Sequence, residues 1–213
     1  MIGAIVALAL LLVAANGGAA DVQVVDLALA QVGDRLVTLS DVTLSRALGL
    51  YGMAATDGPI SPADLEHYLD AQLAVREAIQ LAVEVAAEDV QRAWDARGGT
   101  TLAAWLDCIG VDPAWARRLI EADLRAQRFV DLRFRAFAFV SDADVDAALG
   151  PGPQDEAARS HARERLEAER VARALAAWRA RTRERTPIRY LTGTASGPWP
   201  APFPRPGPDT GRC

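Results

Sequence analysis

Few side chains in the sequence have the types and spacing that catalysis requires. Glu66 and Asp70 lie four residues apart, so on a helix they share one face and could act as a carboxylate pair. Acidic residues at this spacing more often form an exposed face, and no neighbouring motif indicates a substrate pocket. We therefore expect no catalytic residue at this pair.

The sequence contains two weak indications of a metal site. His67 and His161 are the two histidines, and neither has a helical i,i+4 partner that would complete a metal site. The acidic run 142–146 resembles the start of a calcium loop. However, Ala147 replaces the glycine of the sixth position, and Pro153 replaces the glutamate of the twelfth. Acids in the first turn of a helix explain the run better, and no metal is expected.

The two cysteines and the missing motifs also argue against catalysis. The sequence has no glycine-rich phosphate loop, serine elbow or Cys-X-X-Cys motif. Cys108 lies among Trp105, Leu106 and Ile109, which predicts a buried, unreactive thiol. Cys213 is the last residue and is available to pair with another chain. We expect no catalytic, cofactor-binding or metal-binding residue, no cofactor, and hence no enzyme.

The first 20 residues have the pattern of a signal peptide. Residues 1–20 carry no charged side chain, and 2–15 are almost wholly apolar. Gly18 and Ala20 suit the −3 and −1 positions of signal-peptidase cleavage, which would leave Asp21 as the new N-terminus. No basic residue precedes the apolar run, so retention as an uncleaved anchor is the alternative. The run is also shorter than a membrane span of about 20 residues. Export is the better interpretation, because a buried core helix would not end in the small-residue cluster 16–20.

The rest of the chain predicts a mostly α-helical protein with a small β-hairpin. Residues 22–39 contain two stretches typical of β-strands, separated by Gly33-Asp34, where the chain can turn. This pattern predicts the hairpin. Ser40 is the expected cap of a first helix that runs to about Met53. Cap signals and glycine stops predict further helices, which begin after Ser61, near Ala87, at Thr101, after Asp112 and after Ser141.

One long helix from about residue 155 to residue 185 should close the fold. Its apolar stripe is formed by Ala168, Val171, Leu175 and Trp178. Pro187 ends this helix, and residues 188–191 read as a short strand. A lone strand leaves its backbone groups unpaired, so this strand should join the N-terminal hairpin. The module therefore spans residues 21–192, with 155–191 as its closing helix and strand.

The remaining residues, 193–213, form a proline-rich tail. Proline occupies every second position from Pro198 to Pro208, which favours an extended polyproline conformation. A stiff spacer or docking strip is one interpretation. A disordered end is preferred, because the tail leads to no second domain. We therefore expect that deleting residues 193–213 changes the melting temperature little.

Charge is divided unevenly along the chain. Residues 21–150 have a net charge of −10, and residues 159–189 have a net charge of +6. These two blocks are expected to pack together, with Arg163, Arg170 and Arg173 meeting earlier acidic residues. Nucleic acid or an acidic membrane surface is the alternative partner of the basic block. No aromatic platform accompanies its arginines, so no nucleic-acid binding is expected.

The hairpin and the order of the elements resemble SurA-type periplasmic chaperones. The similar segments are Val24-Val25-Asp26 with Leu36–Val42, Leu65–Glu77, Val85–Val90, Leu124–Val140 and Arg170–Leu191. Together they extend from about residue 22 to residue 191. The chain departs from the family in lacking residues for a parvulin prolyl-isomerase domain, which needs on the order of 100 residues. Gly33-Asp34 also replaces the usual asparagine at the hairpin turn.

The resemblance implies a mostly α, multi-helix SurA N-terminal-like module with a small β-hairpin joined by a C-terminal strand. It also implies a periplasmic holdase that binds unfolded outer-membrane or secreted polypeptides without catalysis and without stable membrane insertion after signal cleavage. The alternative is a scaffolding or assembly subunit with one fixed protein partner in the cell envelope. Peptide-binding candidates are the aromatic residues Trp115, Phe134, Phe137 and Phe139, for each of which core packing is the competing role.

Overall fold

Seven α-helices and a three-stranded sheet make up the described part of the chain, which confirms the mostly α class. The computed structural model describes residues 26–56, 58–150, 152, 155–191 and 199. The predicted signal peptide, 1–20, and most of the tail lie outside these residues. The elements are β1 Ala28–Val32, β2 Arg35–Thr38, α1 Leu39–Ala47, α2 Pro62–Gln80, α3 Ala87–Ala96, α4 Thr100–Cys108, α5 Pro113–Arg133, α6 Asp142–Leu149, α7 Glu156–Arg185 and β3 Ile188–Tyr190, with single 3-10 turns at Leu50–Gly52 and Arg135–Phe137.

The sheet joins the two ends of the described chain, as the strand pattern predicts. Its order is β2-β1-β3, and both pairings are antiparallel. Gly33 adopts a φ of 61° at the hairpin turn, where a side chain would be strained. Its amide also donates to the carbonyl of Pro187 at 3.0 Å. The terminal strand thereby finds partners for its backbone groups on the hairpin.

Side-chain caps set the starts of five helices, with one departure from expectation; α3 and α4 begin without one. Ser61 with Asp64 caps α2 and Ser141 with Asp144 caps α6, both by reciprocal hydrogen bonds. In α1 the cap is Thr38 rather than Ser40, since the Thr38 side chain accepts from the amide of Asp41. The helix consequently starts earlier than predicted, directly at the end of β2, and it ends at Ala47 rather than near Met53.

Three hydrophobic clusters form the core: α5 passes through the two larger ones, and the third, small cluster lies between α6 and α7. The first cluster contains the sheet, α2, the C-terminal half of α5 and Trp178 of α7. The second lies between the end of α1, α3, α4 and the N-terminal half of α5. The apolar face of α5, which is formed by Leu119, Ala122, Ala126 and Phe129, is buried. A single 21-residue helix therefore holds the two halves of the molecule together.

Helix α7 packs on the body mainly through one aromatic contact. Trp178 is buried, and its ring centroid lies 5.1 Å from that of Phe129 and 6.0 Å from that of Phe134. Val171 and Leu175 are partly buried against the same cluster. Ala168, predicted as part of the stripe, is exposed. The stripe is therefore shorter than expected, because the part of α7 that contacts the first cluster does not extend back to Ala168.

The acidic and basic blocks do pack together, but not through every predicted arginine. Arg163 pairs with Asp142 at 2.6 Å, and Arg170 pairs with Asp144 at 3.0 Å. Arg173 is exposed and makes no ion pair with any described residue, so this part of the prediction is wrong. It lies on the outer face of α7, turned away from the acids of α6.

One residue of the proline-rich segment is packed. Trp199 is 7% exposed and belongs to the first hydrophobic cluster. Its backbone forms an antiparallel bridge with Ile60, with N–O distances of 2.6 and 2.8 Å. The expectation that the segment buries almost nothing is wrong at this position. A bulky aromatic side chain among the prolines supplies apolar area that the alternation of prolines does not reveal.

Candidate functional site

The four predicted peptide-binding aromatics do not share one surface. Trp115 is half-buried beside the second hydrophobic cluster, near the start of α5. Phe134 follows the end of the same helix and is buried in the first cluster. A helix of this length spans about 30 Å, so Trp115 lies far from the others. Phe137 and Phe139 are each 78% exposed. Only these two remain available to a partner.

Phe137 and Phe139 belong to the exposed aromatic segment, which we define as residues 132–139. Burial alternates from Phe137 to Val140: Ala138 and Val140 are buried, whereas the two phenylalanines point outward. Leu132, in the last turn of α5, is also 65% exposed. Exposed apolar side chains that follow one another in this way are typical of interaction surfaces.

The backbone of this segment is held in place from the inside. Phe134 packs edge-on against Phe129, with ring centroids 5.8 Å apart. Arg170 of α7 donates a hydrogen bond to the carbonyl of Phe139 and pairs with Asp144. Since both ends are fixed, Phe137 and Phe139 are presented without further ordering of the main chain. A preorganised surface of this kind loses less conformational entropy when it binds.

A second apolar surface lies between the hairpin and the end of α2. Val32, Val75 and Ile79 line a cleft of about 300 Å³ there, together with the charged residues Asp34 and Arg76. Arg76 pairs with Asp34 at 3.0 Å across its edge. The cleft is small and is edged by charged side chains, so it offers an apolar partner less contact than the exposed aromatic segment.

Glu66 and Asp70, the candidate carboxylate pair, are bound by a single arginine. Arg183 of α7 donates to Asp70 Oδ1 at 2.7 Å and to Glu66 Oε2 at 2.8 Å. Tyr190 of β3 donates its hydroxyl to the other oxygen of Glu66 at 2.5 Å. Burial lowers the pKa of Arg183, but the hydrogen bonds with Glu66 and Asp70 outweigh it and raise that pKa. These contacts make the pair a structural clamp between α2, α7 and β3.

His67 and the acids of the run 142–146 are likewise occupied by protein groups. His67 is exposed, and its Nε2 lies 2.7 Å from the carbonyl oxygen of Tyr51. In the acidic run, Asp142 and Asp146 pair with Arg159, while the hydrogen bonds from Ser141 lower the pKa of Asp144. Within the described ranges, no three His, Cys, Asp or Glu residues form a group that could hold a metal ion.

Cys108 differs from its predicted state. It is exposed at the end of α4 rather than buried, and it is disulfide-bonded rather than a free thiol. Trp105 and Leu106 turn into the second cluster, and the helical rotation from Leu106 carries Cys108 to the outer side. An apolar neighbourhood in sequence does not by itself place a residue on the inner face.

Sequence reasoning missed two features of the surface. Leu132 falls outside the apolar stripe of α5, and this off-stripe position was the signal that could have identified it. A cavity beside Arg179 gave no signal, since nothing in the basic run distinguishes that arginine from its neighbours. Within the described residues, no helix has both the length and the hydropathy needed to cross a membrane.

The comparisons with known proteins leave the family open. A scan against protein-family models finds no family that matches the chain, and a search of curated proteins finds no significant similarity to any of them.

Proposed function

We propose that the protein is a holdase-type chaperone of the bacterial periplasm that binds unfolded outer-membrane or secreted polypeptides. The observation that carries this proposal is the exposure of Phe137 and Phe139 on a fixed backbone. Both residues lie in the stretch Leu124–Val140 that resembles SurA-type chaperones. Binding needs no nucleotide or metal, because a holdase binds the unfolded chain and delays its aggregation.

The chemistry of the segment fits an extended apolar client. Phe137 and Phe139 supply large contact areas that lose few rotamers on binding. Arg133 is exposed in the same segment, so an acidic or backbone carbonyl group of a client can pair with it. Sequence-tolerant contacts of this kind suit many clients, whereas a fixed partner would need a complementary patch.

The direct test is suppression of aggregation. An outer-membrane polypeptide is diluted from denaturant, and light scattering is followed with wild type, with Phe137→Ser/Phe139→Ser and with Leu36→Thr. Leu36 is 51% exposed on β2 and serves as the matched apolar control. We expect the double variant to need about tenfold more protein for equal suppression, since roughly 1.4 kcal/mol of lost client contact corresponds to tenfold.

Two outcomes would contradict the proposal. If Leu36→Thr loses as much suppression of aggregation as the double variant, no particular surface binds clients. Retention of full activity by the double variant would show that Phe137 and Phe139 do not. A stable complex with one envelope protein, and no suppression for unrelated clients, would instead support the scaffolding alternative.

Absence of catalysis is a separate prediction. Helix α6 ends at Leu149 and α7 begins at Glu156, which leaves no room between them for a parvulin domain of on the order of 100 residues. We therefore expect that the protein does not accelerate prolyl isomerisation of a short proline peptide. The measurement is a protease-coupled isomerisation assay, with a parvulin as the positive control. A rate well above the uncatalysed rate would overturn the non-enzyme assignment.

A further inference from the structure

A cavity of about 450 Å³ opens between the 3-10 turn at Leu50–Gly52 and helices α2, α5 and α7. Its volume falls in the range of about 300–1,000 Å³ that is usual for small-ligand sites. Part of the lining is small and apolar, from Ala71 and Ala74 of α2 and from Ala126 and Val130 of α5. Short side chains on two facing helices leave room for an apolar group.

The acidic groups that line the cavity already have partners. Asp123 accepts from the amide of Tyr51 and from Gln127 Nε2, each at 2.9 Å, and Arg97 lies 3.7 Å away. Asp131, near the rim, pairs with Arg135 at 3.3 Å. Each carboxylate thus has a cationic neighbour, and none is left to attract a cation.

Arg179 is the charged lining group that remains unmatched; the hydroxyl of Tyr51, which also lines the cavity, is likewise buried without a hydrogen-bond partner. Arg179 lines the cavity from α7, and it makes no ion pair or hydrogen bond with any described residue. Its Nε is buried without an acceptor. Unpaired donors that are removed from water are costly, and a guanidinium is matched best by a planar carboxylate that it can contact through two N–H groups.

We propose that this cavity binds a carboxylate carried by an apolar group. Arg179 pairs with the carboxylate, and the alanine-lined wall contacts the apolar part. Asp123 and Asp131 disfavour a more highly charged anion such as phosphate, because each adds a negative charge at the same cavity. The inference does not depend on the chaperone proposal, because it is argued from Arg179 and the alanine-lined wall, although the two surfaces adjoin at Arg135.

Two classes of ligand join a carboxylate to an apolar group: the C-terminal residue of a polypeptide and a fatty acid. Calorimetric titration with acetyl-Ala-Ala-Leu bearing a free carboxylate, with the same peptide amidated, and with octanoate separates them. The free acid should bind at least about tenfold more tightly than the amide if the peptide terminus is the ligand. Binding of octanoate alone would assign the site to fatty acids.

Equal binding of the acid and the amide would overturn the proposal, as would failure of both the acid and octanoate to bind. Arg179→Gln should reduce the affinity for the carboxylate by about tenfold, whereas Arg173→Gln, an exposed and unpaired arginine on the same helix, should leave it unchanged. An equal loss of affinity in both variants would show that only the net charge matters, and it would contradict the assignment.

A variant that gains affinity guards against misfolding as an explanation. Asp131→Asn removes a negative charge beside the cavity and releases Arg135 from its 3.3 Å pair, so carboxylate affinity should rise by roughly two- to fivefold. The pair is largely exposed, so the melting temperature should hardly change. Unchanged or weaker binding in Asp131→Asn would count against the proposed electrostatics.

Discussion

At the scale of single residues, Asp123 shows how one carboxylate holds a strained turn. Tyr51 has a φ of 58°, which is uncommon for a residue with a side chain. Its amide donates to Asp123 Oδ1 at 2.9 Å, across 72 residues of sequence. Asp123 is almost fully buried, and burial raises its pKa. The carboxylate therefore fixes the turn, although burial disfavours its ionised form.

Substitutions at Asp123 should separate these two effects. Asp123→Ala leaves the Tyr51 amide without its acceptor and should lower the free energy of unfolding by about 1–3 kcal/mol. Asp123→Asn keeps a side-chain oxygen for that amide and should cost clearly less. Urea unfolding of both variants at pH 7 is the measurement. If the asparagine variant is as unstable as the alanine variant, then the charge rather than the acceptor holds the turn.

The pH dependence follows from the raised pKa of Asp123. The cost of its ionisation is absent below the unfolded value of about 3.9 and is fully present above the folded pKa. The wild type should therefore gain stability relative to Asp123→Asn as the pH falls from 7 towards 4. Asp41, whose pKa burial also raises, is common to both proteins and cancels in the difference. A stability difference that is independent of pH would contradict the raised pKa.

Residue-scale burial was the part of the site that the sequence predicted least well. Phe134, Phe137 and Phe139 have the same chemistry and lie within six residues, yet only Phe134 is buried. Trp178, which covers Phe134, lies 44 positions further along the chain. No pattern within the segment shows where that tryptophan will pack. The aromatic run indicated where the surface lies, but not which members face outward.

At the scale of elements, the helix starts were predictable because capping is local. Ser61, Asp112 and Ser141 bond to amides within three residues, so each sequence signature contains its own geometry. The start of α1 was missed because Thr38 is the last residue of β2 as well as the cap. Because Thr38 belongs to both elements, neither the strand pattern nor the cap pattern identifies it when each is read alone.

Helix α7 offers a test of whether burial or charge holds it in place. Trp178→Ala should lower the free energy of unfolding by about 3–5 kcal/mol, the usual cost of removing a large buried aromatic side chain. Arg173→Ala should change it by less than about 0.5 kcal/mol, since Arg173 is exposed and unpaired. Denaturant unfolding of both variants at low and high salt is the measurement.

Arg183→Ala should fall between those two variants. Its pairs with Glu66 and Asp70 are partly exposed, so a loss of about 1 kcal/mol is expected, and high salt should reduce this loss. If Arg183→Ala proves more damaging than Trp178→Ala, or if salt alone releases α7, the ion pairs rather than the aromatic contact dominate the docking.

At the scale of the whole molecule, the pairing of the terminal strand with the N-terminal hairpin could be predicted from the hydrogen bonds that a backbone requires. A three-residue strand cannot pair its amides and carbonyls by itself, and the N-terminal hairpin was the one predicted partner. The structure pairs Ala30 with Tyr190 and Val32 with Ile188. The division of the main core into two large clusters could not be predicted, because the apolar face of α5 continues unbroken through both.

The proline-rich segment provides the last prediction, which reverses the expectation from composition. Trp199 is buried in the first cluster and bridges Ile60, whose side chain is fully buried in the same cluster. Trp199→Ala should therefore lower the free energy of unfolding by about 3–5 kcal/mol, and deletion of residues 193–213 by at least as much. Trp199→Phe keeps an aromatic ring at the position and should retain most of the stability. Thermal and urea unfolding are measured with a reducing agent in all samples, so that the disulfide state does not differ between them. A melting temperature unchanged in Trp199→Ala would show that the bridge contributes nothing and would restore the view of the segment as an unpacked end.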